Sequence, residues 1–380
     1  MVIPQLAFTE DKFIQGLHVF CVGGAVRDAL LQSIEGDKDW VVVGASPEDM
    51  LMRGFTPVGG DFPVFLHPVT KQEYALARTE RKSGRGYQGF TFYTGQEVTL
   101  AEDLHRRDFT INAMATDSQG ELYDPYHGLN DLNLKLFRHV GEAFIEDPVR
   151  ILRLGRFLSR FSDFNVAPET MNLCQQMVTN NEVDALVPER IWKEISRALM
   201  AEKPSRCFDF LHEIGALKRI MPLLEWNAQK ALLLDKTATA GLNLSQRYAL
   251  LSLDTPDIEK LSQQLRVARE QADYAKYLPQ VIAGLEQLSM RRMEALTETD
   301  AVYMVEFVER MDGIRKPERL LDLIALTMSV HDIPPNLDWQ KVLNTIKAVP
   351  VGDIAQQCEG DVALIKQKVK AARIQALLAI

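Results

Sequence analysis

A chain of 380 residues, 46% hydrophobic and 25% charged, is long enough for two or three compact units and has the balance of an ordinary globular protein. No apolar run approaches the roughly 20 residues of a membrane-spanning helix, and the opening residues place acids early without a basic-then-apolar order, so neither a membrane span nor a secretory signal is expected. The net charge of −9 excludes a uniformly basic nucleic-acid binder but not a local basic groove. Cys21, Cys174, Cys207 and Cys358 are far apart with no CxxC pair, which argues against a zinc ribbon or disulfide framework and fits a reducing cytoplasm.

Residues 1–140 mix strand and helix signals. His18–Val22 is a short apolar run ending at Gly23-Gly24, and Ala25–Gln32 follows with a helical pattern. Trp40–Val43 reads as a strand stopped at Gly44. Ser46-Pro47-Glu48-Asp49 combines an N-cap, a first-turn proline and an acid three residues on, which marks a helix start. Glu73–Arg78 reads as a third strand, and Thr79–Gly89, rich in Arg, Lys and Gly, as a mobile loop. Beyond residue 140 helical patterns dominate, with breaks at Pro188, Pro204, Pro222, Pro256 and Pro334-Pro335. The layout predicts an α/β head followed by a long helical body.

The chemistry gathers near the N-terminus. Asp37 and Asp39 sit two apart at a strand start, where alternation puts both carboxylates on one face. Such a pair of hard oxygen ligands suits Mg²⁺, and a two-metal site of this kind activates an attacking hydroxyl and stabilises leaving pyrophosphate. A DxD alone is common, and its plain reading is a polar turn entering a strand. Here it shares a window of seventeen residues with Gly23-Gly24 and Arg27. Glycines between strand and helix let backbone N–H groups approach phosphate, and Arg27 lies one turn in. Basic residues also cluster: Arg78, Arg81, Lys82 and Arg85; Arg106 and Arg107; and Arg150, Arg153, Arg156 and Arg160. The last four follow one helical arc, so they repel each other unless anions, phosphate or carboxylate, meet them.

The constellation Gly23-Gly24-Ala25-Val26-Arg27-Asp28 with Asp37-Lys38-Asp39-Trp40 resembles the signature of the class II tRNA nucleotidyltransferase and bacterial poly(A) polymerase family, within the polymerase-beta-like superfamily. Arg106-Arg107-Asp108-Phe109-Thr110-Ile111-Asn112-Ala113 is similar to its second motif, linked to ribose and triphosphate contacts. Asp124-Pro125, Gly128, Asp131-Leu132 and Arg138 follow the third, joining head to neck. Glu146-Asp147-Pro148-Val149-Arg150 with Arg153, Arg156 and Phe157 follows the fourth, the nucleotide-selecting helix, and Glu189-Arg190 with Glu194 the fifth. The segments Asp39–Gly44 and Asp61–Gly89 look most like bacterial CCA-adding enzymes.

The resemblance implies an α+β fold: a polymerase-beta-like catalytic head with a small mixed sheet over residues 1–138, a helical neck over 139–225 and a helical body and tail over 226–380. It implies stepwise addition of C, C and A to a tRNA 3′ end from CTP and ATP, with Mg²⁺ as cofactor and no obligatory protein partner. Asp37 and Asp39 would be catalytic and metal-binding, with Glu73 a third metal ligand by superfamily habit. Gly24, Arg27, Arg107, Asp108, Asn112, Asp147, Arg150, Arg153 and Arg156 would bind the nucleotide. The alternatives are a partial CC- or A-adding enzyme, a poly(A) polymerase, or a noncatalytic RNA-binding protein. Partial CC-adding relatives lack the flexible segment that Arg78–Gly89 supplies here.

Base choice has a chemical rationale. Cytosine and adenine share an exocyclic amine beside a ring nitrogen acceptor, where uracil and guanine present a carbonyl beside a ring N–H. A carboxylate accepting from the amine and an arginine donating to the ring nitrogen would admit C and A only. Asp147 and Arg150, at i and i+3, are expected to be that pair, although Asp147-Pro148 also reads as a helix N-cap and first position. In the tail, a phosphohydrolase of the HD type, present in many relatives, would need several histidines. Past Glu225 there is only His331, followed by Asp332, so no such metal site is expected. Lys366, Lys368, Lys370 and Arg373 are candidates for tRNA phosphate contacts.

Overall fold

The computed structural model describes residues 1–33, 37–58, 64–82, 90–93, 95–289, 296–331 and 337–380. The chain divides into two compact units, Met1–Pro222 and Leu223–Ile380. The expected head and all but the last three residues of the expected neck fall within the first unit.

The first unit opens with β1 (His18–Val22), α1 (Gly24–Leu30), β2 (Asp39–Val43) and α2 (Pro47–Met52). Strands β3 (Thr56–Val58), β4 (Val64–Leu66), β5 (Glu73–Leu76), β6 (Thr79–Lys82) and β7 (Phe90–Tyr93) follow, then α3 (Leu100–His105), β8 (Ala115–Thr116), β9 (Leu122–Tyr123), α4 (Gly128–Asn133) and β10 (Leu136–Phe137). Seven strands make one mixed sheet in the order β3-β4-β5-β2-β1-β8-β9, with only β2 and β5 parallel. Alternation sorts its faces. Val22, Val41 and Ala115 pack on Leu104 of α3, while Trp40 on the other face stacks on Tyr74 at 5.6 Å. Ser46 caps α2 as its sequence predicts, with its hydroxyl accepting from the Asp49 N–H and the Asp49 carboxylate accepting from the Ser46 N–H.

Two readings are corrected here. β2 begins at Asp39, so Asp37 lies just before the strand and strict alternation does not reach it. The segment read as a loop from Thr79 begins as strand, because β6 pairs antiparallel with β7 from Thr79↔Tyr93 to Lys82↔Phe90. Charged residues in an isolated two-stranded ribbon carry no apolar alternation, which is why the strand was not legible. Residues 83–89 of that segment lie outside the described residues, as do Asp332 and the Pro334-Pro335 pair.

The neck is built on α5 (Val149–Arg160), β11 (Asn165–Val166), α6 (Pro168–Thr179), α7 (Pro188–Leu199), α8 (Ser205–Glu213) and α9 (Leu217–Ile220). Helix α5 buries Ile151, Leu152, Leu154 and Leu158 against α7 and α8. Gly155 is required there, since a β-carbon would stand 2.8 Å from the Cys207 sulfur.

The second unit is helical: α10 (Ala228–Thr239), α11 (Leu244–Ser252), α12 (Ile258–Gln264), α13 (Arg269–Ser289), α14 (Glu298–Arg310), α15 (Pro317–His331), α16 (Trp339–Ala348), α17 (Val351–Gln356) and α18 (Val362–Leu378). Asp322 of α15 ties α11 and α13 together, accepting from Gln246 Nε2 at 2.7 Å and from the Tyr274 hydroxyl at 2.8 Å. Two of the expected phosphate contacts are already paired within this unit: Lys370 with Glu306 at 2.5 Å and Arg373 with Glu309 at 2.6 Å, both joining α18 to α14. No described helix is long and apolar enough to cross a membrane.

Candidate active site

Sheet register brings the dispersed motifs to one end of the head. Antiparallel pairing sets Val22 opposite Asp39 on one side and opposite Ala115 on the other. Gly23-Gly24, the aspartate pair and the Asp108–Asn112 segment therefore meet where β1 ends. Gly23 turns the chain into α1 with φ of 74°, a conformation that side chains disfavour. A β-carbon there would also stand 2.6 Å from Arg107 Nη1.

The meeting point is a cavity of about 510 Å³, lined by Gly24, Asp39, Asn112 and Phe157 together with eight arginines against three aspartates. That imbalance suits a polyanion. The arginines are ordered by carboxylates from distant parts of the chain. Arg153 Nε and Nη2 each lie 2.7 Å from Asp108 Oδ2. Arg156 Nε donates to Glu194 at 2.5 Å, and Arg160 Nη2 to Asp28 Oδ2 at 2.9 Å. The other Asp28 oxygen accepts from Arg27 Nε at 2.9 Å, and Arg27 also donates to Asn112 Oδ1, while Asn112 Nδ2 donates to Asp108 at 2.9 Å. The anions that Arg153, Arg156 and Arg160 require are thus supplied by the protein, and Arg150 donates to the backbone carbonyls of Ala143 at 2.9 Å and Arg106 at 2.6 Å. Phe157 is a shelf for three of these guanidinium groups: Arg156 at 4.2 Å from its ring centre, Arg27 at 5.2 Å and Arg153 at 5.7 Å.

Electrostatics follow the pairing. Burial alone pushes the Asp108 carboxyl up, but Arg153, the Asn112 amide and Arg150 outweigh it and bring it down to about 2. Asp103, wholly buried in α3, is likewise pushed up by burial and brought below the ordinary range by Arg106 and Arg107. Asp39 behaves oppositely: burial around its carboxyl raises its pKa, Arg107 lowers it and the Asp37 charge raises it again. No described side chain forms an ion pair with Asp37 or Asp39. Two neighbouring carboxylates in no ion pair, one of them held above its usual range, are a donor set that a divalent ion fits.

Of the expected residues, Gly24, Arg27, Asp39, Arg107, Asp108, Asn112, Asp147, Arg150, Arg153 and Arg156 all line the cavity. Asp37 stands just outside the lining. Glu73 does not join them: it opens β5 as an exposed residue, and no three acidic, His or Cys side chains among the described residues gather as metal ligands. A charge that starts a strand needs no partner when water reaches it. Asp147 and Arg150 are not paired with each other. Asp147 is extended, one residue before the Pro148 cap of α5. Its carboxylate accepts from the Val149 N–H at 3.2 Å and from both Nη atoms of Arg190, at 2.9 and 2.7 Å.

Sequence reading placed Asp28, Arg190 and Glu194 within motifs without giving them partners, and passed over Asp103. Asp103 was findable, because it lies three and four residues before Arg106 and Arg107 on a helix. The others are joined only by tertiary packing.

The family model described as the Poly A polymerase head domain matches residues 19–138, and that of the probable RNA and SrmB-binding site of polymerase A matches 163–227. The chain is 54% identical over 368 residues to the CCA-adding enzyme of Bordetella bronchiseptica, covering 97% of this chain and 98% of that one. It is 42% identical over 410 residues to the Multifunctional CCA protein of an Azoarcus strain, covering 96% and 97%. Among solved structures, the Bacillus stearothermophilus CCA-adding enzyme in complex with CTP superposes with a TM-score of 0.69 at 25% identity, covering 99% of this chain and 91% of that one. Similarity of this extent, over a head whose motifs converge on one arginine-lined cavity, places the chain in the CCA-adding enzyme family of nucleotidyltransferases.

Proposed function

We infer that this chain adds C, C and A to the 3′ end of tRNA, taking CTP and ATP as donors and releasing pyrophosphate. The observation that carries this is the 54% identity, over nearly the whole of both chains, to a CCA-adding enzyme. The cavity's charge agrees with it, since eight arginines against three aspartates favour a nucleoside triphosphate.

Asp37 and Asp39 would hold the divalent ion, for which Mg²⁺ is the natural choice given carboxylate and phosphate oxygens. When bound, it would supply Lewis-acid stabilisation of charge on the transferred phosphoryl group. The protein's own groups do the positioning. Gly24 keeps the wall of the cavity free of a side chain. Arg27 and Arg107 present charge fixed by Asp28, Asn112 and Asp103 and cost little reorganisation when phosphate arrives. Asp147 and Arg150 would read the base. In this division of labour residues 1–138 do the chemistry, 139–225 choose the nucleotide and 226–380 hold the tRNA, in a cytoplasmic setting.

The test is to incubate the protein with tRNA ending before CCA, supplying CTP and ATP singly and together, and to sequence the products. CTP alone should give CC ends and both together CCA. Ends that stop at CC with both present would identify a partial enzyme, and long A tails a poly(A) polymerase.

A further inference from the structure

Asp147 lies outside any regular element, and its own segment meets the carboxylate through one contact, the Val149 N–H on Oδ1, which leaves its plane free to turn. The torsion that turns that plane is broad and roughly two-fold, so a selector built on it needs an external brace. Arg190 supplies one. It sits in the first turn of α7, whose Ile191, Ile195 and Ala198 are buried. One turn further on, Glu194 of the same helix accepts from Arg156 of α5. Helix α7 is thereby fixed to α5 independently of Arg190 and carries the guanidinium to Asp147 as a rigid fork.

The hydrogen bonds count out unevenly. A carboxylate offers about four lone-pair sites. Oδ1 is met twice, by Arg190 Nη1 at 2.9 Å and by the Val149 N–H at 3.2 Å. Oδ2 is met once, by Arg190 Nη2 at 2.7 Å. One acceptor site, on Oδ2, is left in a cavity that both residues line.

We propose that Arg190 is a positioning residue for nucleotide choice: its two-point grip presets Asp147 so that a single acceptor, on Oδ2, meets the exocyclic amine of an incoming cytosine or adenine. This rests on the reading of Asp147 as a base selector. A uracil or guanine carbonyl at that place faces the remaining lone pair and gains nothing. Without Arg190 the carboxylate is drawn toward the other arginines that line the cavity. Its plane, and with it the discrimination, is then lost. The grip needs a planar fork, so lysine, a point donor, replaces the charge and not the geometry.

The experiment uses the full chain with tRNA ending before CCA and compares kcat/KM for CTP and for UTP, alongside the Kd of each nucleotide without turnover. The variants are Arg190→Gln, Arg190→Lys, Asp147→Ala and Arg190→Gln with Asp147→Ala, each checked for a cooperative thermal transition. Arg190→Gln should lower the CTP-to-UTP preference about tenfold or more, the scale of one lost charged hydrogen bond. Arg190→Lys should fold as the parent and still lose part of the preference, which keeps the test decisive if the glutamine variant does not fold. The double variant should be no less selective than Asp147→Ala alone. A merely structural Arg190 would lower both nucleotides equally, and an unchanged ratio in the Arg190 variants, with Asp147→Ala unselective, overturns the inference alone. Losses that multiply in the double variant overturn it as well. An Asp147→Ala variant as selective as the parent would overturn both it and the reading of Asp147.

Discussion

Asp108, in the head, and Arg153, on the first neck helix, are 45 residues apart in the chain and joined by two contacts of 2.7 Å to one carboxylate oxygen. The Asp108 carboxyl is held at about 2, against 3.8 for the ordinary group. A depressed carboxyl stabilises the fold above its unfolded pKa and ceases to do so as pH falls through its folded one. Asp108→Asn should therefore cost on the order of 2 kcal/mol near neutrality, and the gap between parent and variant should close between about pH 4 and pH 2. Thermal or urea unfolding across that range measures it. A gap that widens with acid would mean the latch is not ionic.

Asp37→Ala and Asp39→Ala should each lower nucleotide transfer about a hundredfold or more, since a bound metal contributes several kcal/mol to the transition state. The expected thermal midpoint is unchanged or raised, because removing one of two adjacent like charges relieves repulsion. Near-normal turnover in either variant with Mg²⁺ would remove the metal assignment.

Asp147→Ala should admit UTP and GTP, losing about 1–3 kcal/mol of preference for CTP and ATP. Its effect on metal dependence should be small. Single-turnover extension with each of the four nucleotides separates the two.

Gly23→Ala should be costly out of proportion to one methyl group. The residue has φ of 74° and its β-carbon would meet Arg107 Nη1 at 2.6 Å. Strain of about 1–3 kcal/mol is expected in unfolding experiments, together with a raised KM for nucleotide as Arg107 is displaced. A KM equal to the parent's would show that Arg107 does not contact the triphosphate.

The second unit should show no metal-dependent phosphodiesterase or phosphatase activity with nickel, cobalt or magnesium. Past Glu225 the chain has a single histidine, His331, too few for a site of that kind, and the Ala249–Ser252 stretch of α11 is buried packing. Hydrolysis that tracks the protein and survives Asp37→Ala would reveal a second site.

Local features were legible in the chain because they depend on near neighbours. Short apolar runs stopped by glycine marked β1 and β2, Ser46 and Asp49 marked the α2 cap, and the Gly-Gly, Arg and DxD run marked the catalytic end before any sheet register was known. The four arginines of α5 announced by their spacing that anions must meet them. Which anions did so was decided by packing: Asp108, Glu194 and Asp28 come from 45, 38 and 132 residues away. For the same reason Asp147 faces Arg190 and not Arg150, its near neighbour in sequence. Many arginines and carboxylates offer chemically similar pairings. The fold selects among them by fixing which guanidinium lies within hydrogen-bond reach in the right plane, and that information lies in the tertiary geometry.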